Sequence, residues 1–160
     1  MDVKQTLKSC LVFAGLSDQE LDKIAPLCHV EEYQADTALL REGERARRLY
    51  IVMEGEVAVG KFVDVASDEP LAIEADISHP GTLVGWSALV DPEILTASAK
   101  CVTDSRLLVV EAAALRRALQ SDPRIGFEVV GRLNHLLSHM IRRMGRRRGV
   151  AAEVMKAADE

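Results

Sequence analysis

Between Gly81 and Lys100 the chain reads Gly-Thr-Leu-Val-Gly-Trp-Ser-Ala-Leu-Val-Asp-Pro-Glu-Ile-Leu-Thr-Ala-Ser-Ala-Lys. This is the spacing of a short strand, a glycine turn at Gly85, one turn of helix, a Pro92 loop and a second strand. A glycine turn leading into a helical turn exposes free backbone N–H groups, a natural seat for an anion such as phosphate. The chemistry on offer is binding. Bond-breaking machinery is not evident: there is no Ser-His-Asp order with an elbow, no phosphate-loop lysine and no close carboxylate pair in a cleft-like context. The expectation is a protein that is not an enzyme.

Other reactive side chains read more simply. His135 and His139 are four apart on a predicted helix, a zinc-ligand spacing, but no third ligand accompanies them, so they read as solvated. Cys10, Cys28 and Cys101 are widely spaced without a Cys-x-x-Cys pair and read as reduced, mostly buried thiols. No metal and no cofactor is expected.

The elements that must position the turn follow from the pattern of apolar residues. Val3, Leu7, Leu11 and Val12 predict an amphipathic helix over residues 2–14. Ser17-Asp18-Gln19-Glu20 is a capping box opening a second helix through Leu21, Ile24 and Leu27. From His29 to Val110 the pattern changes to short strands: 29–34, 38–41, 48–53, 57–63, 71–77, 82–85, 96–102 and 105–110. Turn residues separate them at Asp36, Gly43, Glu54-Gly55, Ser67–Pro70, Pro80-Gly81 and Asp104-Ser105. Eight short strands at near-even spacing favour a sandwich or jelly-roll barrel. Helices over Glu111–Gln120 and from Ser121-Asp122-Pro123 onward close the chain.

With 48% hydrophobic and 28% charged residues, the composition is that of an ordinary globular domain with its own core. The net charge of −5 argues against general nucleic-acid binding by the whole molecule. The run Leu11–Leu16 is too short to span a membrane and lacks the flanks of a signal peptide. A cytoplasmic location is expected.

The Gly85 cassette, the lead-in Phe13, Leu16, Ser17 and Leu21, and the segments Leu40-Arg41-Glu42-Gly43-Glu44, Leu49-Tyr50-Ile51-Val52 and Gly55-Glu56-Val57-Ala58-Val59 together resemble the cyclic-nucleotide-binding domain family. The resemblance covers roughly residues 5–140. It implies a mainly β (α+β) fold: a double-stranded β-helix, or jelly-roll, barrel with N-terminal helices and a long C-terminal helix. It also implies a non-catalytic sensor or regulatory module. The degenerate cassette to which it assigns ligand binding is Gly85, Trp86, Ser87, Ala88, Leu95, Thr96 and Ala97.

In the family a glutamate after the cassette glycine holds the ribose, and an arginine before a Ser or Thr pairs with the cyclic phosphate. By position those sites are here Trp86 and Leu95, and Thr96 alone of the three is kept. Each lost charge-assisted hydrogen bond is worth about 1.5–3 kcal/mol. Together with an uncompensated phosphate, the losses imply roughly 100- to 10,000-fold weaker binding. The resemblance therefore predicts poor binding of cAMP and cGMP, with another small effector in their place. Trp86 would plug the sugar site or wall a different ligand, and at the purine end Leu136-Leu137 or Met140-Ile141 offer no hydroxyl. Lys100, Arg47 or Arg48 reaching inward would restore a cation, which keeps open a cyclic-nucleotide binder with a non-standard phosphate partner. A constitutive interaction or scaffold domain with an occluded pocket is the other alternative. Some relatives sense haem, which leaves His79, before Pro80, as an alternative axial ligand.

Along the last helix Val130, Leu133, Leu137, Met140 and Met144 fall at steps of three and four, a coiled-coil-like seam. By resemblance this helix pairs two subunits in a homodimer; packing on the barrel is the other reading. Five arginines in residues 142–148 read as a solvated helix end complementing the C-terminal dipole, with a dock for an acidic partner protein or a contact with RNA, DNA or anionic lipid as the alternatives. Residues 1–145 are expected to form one domain and 146–160 a basic, flexible tail, with no room for a helix-turn-helix and so no direct DNA-binding domain.

Overall fold

The computed structural model describes residues 2–63 and 71–158. Helices α1 (Val3–Ser9) and α2 (Asp18–Ile24) lead into eight strands: β1 (Cys28–Tyr33), β2 (Ala38–Leu40), β3 (Arg48–Glu54), β4 (Val57–Val63), β5 (Leu71–Ser78), β6 (Leu83–Val84), β7 (Ser98–Cys101) and β8 (Ser105–Glu111). Helices α3 (Ala112–Ser121) and α4 (Pro123–Ala158) follow. The strands form two four-stranded antiparallel sheets, in the orders β1-β8-β3-β6 and β2-β7-β4-β5. That is the expected jelly roll. The turn expected at Ser67–Pro70 lies outside the described residues.

Strand alternation builds two cores from one sheet. In β3, Leu49, Ile51 and Met53 point toward the helices, where they join Leu7, Phe13, Leu21, Ile24, Leu115, Ile125 and Val129. Tyr50 and Val52 point between the sheets with Val57, Val84, Ala99, Cys101, Leu107 and Val109. Burial on both faces explains why Leu49–Met53 and Leu107–Val110 are unbroken apolar runs. All three cysteines are free, with Cys10 and Cys101 buried and Cys28 half-buried. Burial pushes the Cys28 thiol up to about 12.

The capping box of α2 forms as read: Ser17 Oγ accepts from Glu20 N, and the Glu20 side chain accepts from Ser17 N. The first helix is shorter than the pattern predicts. It stops at Ser9, and successive turns then carry Cys10, Val12, Phe13 and Leu16 into the core while Leu11 is exposed. Four contiguous apolar residues, Cys10–Phe13, cannot all share one helix face, and turns bury three of them.

At the other end α4 runs on through Gly145 and Gly149 to Ala158, over residues that the sequence reading gives to a flexible tail. Two helical glycines cost about 1 kcal/mol each, and Ala151–Ala158, rich in Ala, Glu, Met and Lys, favours helix. Asp122 caps α4, its Oδ1 accepting from Ile125 N at 3.3 Å.

The buried stripe of α4 differs from the predicted seam. Ile125, Val129 and Leu133 face the domain, at 1%, 0% and 2% exposure. The outward face carries Phe127, Val130, Ile141 and Met144, with Leu137 half-buried beside them. Leu133 therefore belongs to the domain's own packing.

Candidate functional site

Strand β6 pairs with β3 through Tyr50–Val84 and Ile51–Leu83, which fixes where the cassette leaves the sheet. Gly85 then adopts φ 86° and ψ 30°, a left-handed conformation that a side chain disfavours. A Cβ there would also stand 3.0 Å from the Arg48 carbonyl oxygen and 3.1 Å from Leu40 Cδ1. The helical turn that follows is 3-10, Trp86–Leu89. Ser87 and Ala88 are buried within it, and Ser87 Oγ lies 3.5 Å from Thr96 Oγ1. The glycine turn, Ser87 and Thr96 thus lie together, with Ala97 half-buried next to them.

The loop between these hydroxyls is tied at both ends. It contains a cis Asp91–Pro92 peptide and Glu93 at φ 63°. Backbone bonds join it to residues 43–46: Gly43 N to Leu95 O at 2.9 Å, Leu95 N to Glu44 O at 2.9 Å, and Ala46 N to Glu93 O at 2.8 Å. Arg116 of α3 donates from Nη1 to the Ala88 carbonyl at 2.7 Å, and its Nε lies 3.1 Å from Glu93 Oε1. Arg45 reaches the other oxygen of Glu93 at 3.2 Å. One carboxylate therefore links the cassette loop, the 41–48 segment and α3.

Leu95, at the position that the resemblance gives to the phosphate arginine, is 5% exposed and packs into the helix-side core. Trp86 is half-buried and packs against that same core. It is not among the residues lining the neighbouring cleft. That cleft, about 470 Å³, opens at the barrel mouth between Leu39, Leu40, Arg41, Glu44, Arg45, Arg47, Arg48, Tyr50 and Leu95. Arg47 and Arg48, suggested by sequence as inward cations, do line it.

Lys100 does not. Its neighbours Ala99 and Cys101 take the interior positions of β7, and Lys100, on the opposite face, lies 3.7 Å from Asp36. A register irregularity between Ala38 and Leu40 accompanies that pairing.

Beside the cleft, Arg48 Nε lies 3.1 Å from Glu111 Oε1, and its Nη1 lies 3.6 Å from Glu31 Oε1. Glu31 also accepts from the Tyr33 hydroxyl, and its Oε1 lies 2.7 Å from His29 Nε2. These contacts, the Tyr33 hydroxyl first and His29 next, hold the Glu31 carboxyl below the usual carboxylate range. Burial and the bond to Glu31 push Tyr33 up, and burial raises Tyr50. The two tyrosine rings meet edge to face at 6.2 Å.

The remaining candidates stay apart from this site. His135 and His139 are exposed on α4, and His79 Nδ1 lies 3.7 Å from Glu56. Among the described residues no group of three or more His, Cys, Asp and Glu could hold a metal ion, and no helix is long and apolar enough to cross a membrane. Sequence reasoning missed Arg41, Arg45, Glu93 and Arg116. Four arginines within residues 41–48 were a visible signal; the reach of Arg116 to the cassette was not.

A model of the family described as the cyclic nucleotide-binding domain matches residues 30–122. The CRP-like cAMP-activated global transcriptional regulator of Mycobacterium tuberculosis is 24% identical over 119 residues, 74% of this chain and 51% of the regulator. The chain thus spans half the length of that relative. A cyclic nucleotide-binding domain from Methylobacillus flagellatus superposes with a TM-score of 0.71 at 23% identity, covering 91% of this chain and 79% of that one. For the catabolite activator protein of Thermus thermophilus the TM-score is 0.67 at 22% identity, with 89% of this chain and 63% of that one covered. At these identities the superpositions speak for the fold.

Proposed function

Because the chain belongs to the cyclic nucleotide-binding domain family, we propose that it is a non-catalytic regulatory module whose effector is not a common cyclic nucleotide. One observation carries this reading. The cassette frame is built, with Gly85 left-handed and Ser87 beside Thr96. The side chains at the ribose and phosphate positions are nevertheless Trp86 and Leu95, both packed with the apolar core. A phosphate seated there would lose its solvent without gaining a cation from either position. The open cleft at the barrel mouth favours an effector site over a constitutive scaffold whose pocket is filled.

The route from site to output runs through Arg116. A ligand that moves the 41–48 segment or the cassette loop pulls on Glu93, then on α3, which packs along α4. Two packings of α4 biased by the ligand would be the switch. The receiver of that movement is a second copy of the chain, paired along the outward face of α4. Phe127, Val130, Leu137, Ile141 and Met144 keep the heptad spacing there, and Asn134 fills the remaining seam position, a residue type that sets register in paired helices.

Titration with cAMP and cGMP, followed by the fluorescence of Trp86, tests the effector reading. No saturable change is expected at micromolar concentration. A saturable micromolar response that Thr96→Val abolishes would show that the cassette still reads cyclic nucleotides and would end it.

A further inference from the structure

We propose that the cleft at the barrel mouth is a phosphomonoester site, in which Arg41 and Arg47 hold a dianionic terminal phosphate and Leu39, Leu40, Leu95 and Tyr50 receive an apolar or aromatic body. The inference rests on the reading of this cleft as the effector site and names the ligand class.

Charge accounting selects the anion. Four guanidiniums surround one opening, and two are already engaged: Arg45 with Glu93 and Arg48 with Glu31 and Glu111. Arg41 and Arg47 are exposed and have no ion pair or side-chain hydrogen bond among the described residues. Gathering unpaired positive charge at one mouth raises the local concentration of anions there. Guanidinium forks match phosphate oxygens bidentately, so two free forks complement one doubly charged group. A cyclic phosphodiester carries one negative charge and leaves the second fork without its share.

Shape and polarity select the rest of the ligand. The volume, about 470 Å³, lies within the range of about 300–1,000 Å³ common for small-molecule sites. Its floor is apolar: Leu95 and Tyr50 are buried at 5% and 4% exposure, and Leu39 and Leu40 pack on the interior core. Inorganic phosphate alone would leave that floor uncovered. Glu44 on the rim is an acceptor for a hydroxyl or amino group of the ligand. A nucleoside monophosphate has all three parts.

Calorimetric titration of the full chain with AMP, phenyl phosphate, cAMP and inorganic phosphate tests the assignment. Both phosphomonoesters are expected to bind about tenfold or more tightly than cAMP, the worth of one charge-assisted bond, and binding should weaken with added salt. The double variant Arg41→Ala/Arg47→Ala should lose about tenfold or more in AMP affinity with an unchanged Tm, since neither side chain makes an ion pair among the described residues. Full affinity in that variant, or no heat from either phosphomonoester at millimolar concentration, overturns the proposal and leaves the wider effector reading standing. Equal affinity for inorganic phosphate and AMP overturns the role given to the apolar floor. Micromolar cAMP binding that survives the double variant overturns the effector reading itself.

Discussion

Arg116 Nε stands 3.1 Å from Glu93 Oε1, and the same guanidinium donates to the Ala88 carbonyl at 2.7 Å. One side chain of α3 therefore holds the cassette turn and the loop behind it, 28 and 23 residues away in sequence. Both partners of the ion pair are about a quarter exposed, so solvent screens part of its worth. Arg116→Ala should cost about 1–2 kcal/mol. At about 2–4 °C per kcal/mol for a chain of this size, Tm should fall by about 2–8 °C in scanning calorimetry. A Tm equal to that of the wild type would mean the link is solvated in solution and cannot relay movement to α4.

Leu95 makes the second prediction, because it belongs to the core and to the cleft wall at once. Leu95→Arg removes a nearly buried apolar side chain, and such losses cost about 2 kcal/mol or more. The arginine's charged end has an exit, since its stem can lie along the apolar floor while its head reaches the cleft. In the double variant Leu95→Arg/Trp86→Glu, cAMP should raise Tm in a concentration-dependent way, because a ligand that binds only the folded state stabilises it. A folded double variant that does not respond to cAMP would mean that the backbone frame around Gly85 cannot seat the cyclic phosphate.

Much of this architecture was legible, and the legible parts share a local cause. The strands from β1 to β8 follow short apolar-rich runs bounded by turn residues. The Ser17–Glu20 capping box closes over three residues, and the Gly85 turn is fixed by its own φ. The illegible parts depend on distant chain. The apolar run Cys10–Phe13 reads as more helix, because nothing nearby says that turns will bury it. Lys100 stays open as an inward cation until the pairing of β2 with β7 sets its face. The outward seam of α4 could not be separated from the inward one without knowing that Leu133 touches the domain. Arg116 reads as an ordinary helix-surface arginine.

Glu31 gives the molecule an acid-sensitive contact. Its carboxyl is held below the unfolded value of about 4.3, chiefly by the Tyr33 hydroxyl and then by His29. It therefore contributes stability above that unfolded value, and the contribution is lost as pH falls through the lower folded value. Glu31→Gln should flatten the dependence of Tm on pH at the acid end. Parallel acid limbs in the two proteins would show that Glu31 is solvated and its contacts with Tyr33 and Arg48 are not maintained. Tyr33 acts at the opposite end. Its folded value is raised, so its stabilisation is complete below about 10 and fades as alkali ionises the phenol.

Residues on α4 eight and twelve positions apart should respond in opposite ways to the same substitution. Ile141 is 68% exposed and Phe127 83% exposed, a costly display of apolar surface for a helix that faces only water. Leu137, Ile141 and Met144 continue the step of four and three, so two copies can interlock side chains along the seam. In Ile141→Asp the folded subunit loses little, because the side chain already faces solvent. The pair loses an apolar contact and gains two facing carboxylates, and the dimer should dissociate in sedimentation equilibrium. Val129→Asp and Leu133→Asp place the charge against the domain, at 0% and 2% exposure, and should unfold the subunit. A chain that sediments as a monomer before any substitution would refute the pairing along this face. Ile141→Asp dimers as tight as wild type would place the interface elsewhere.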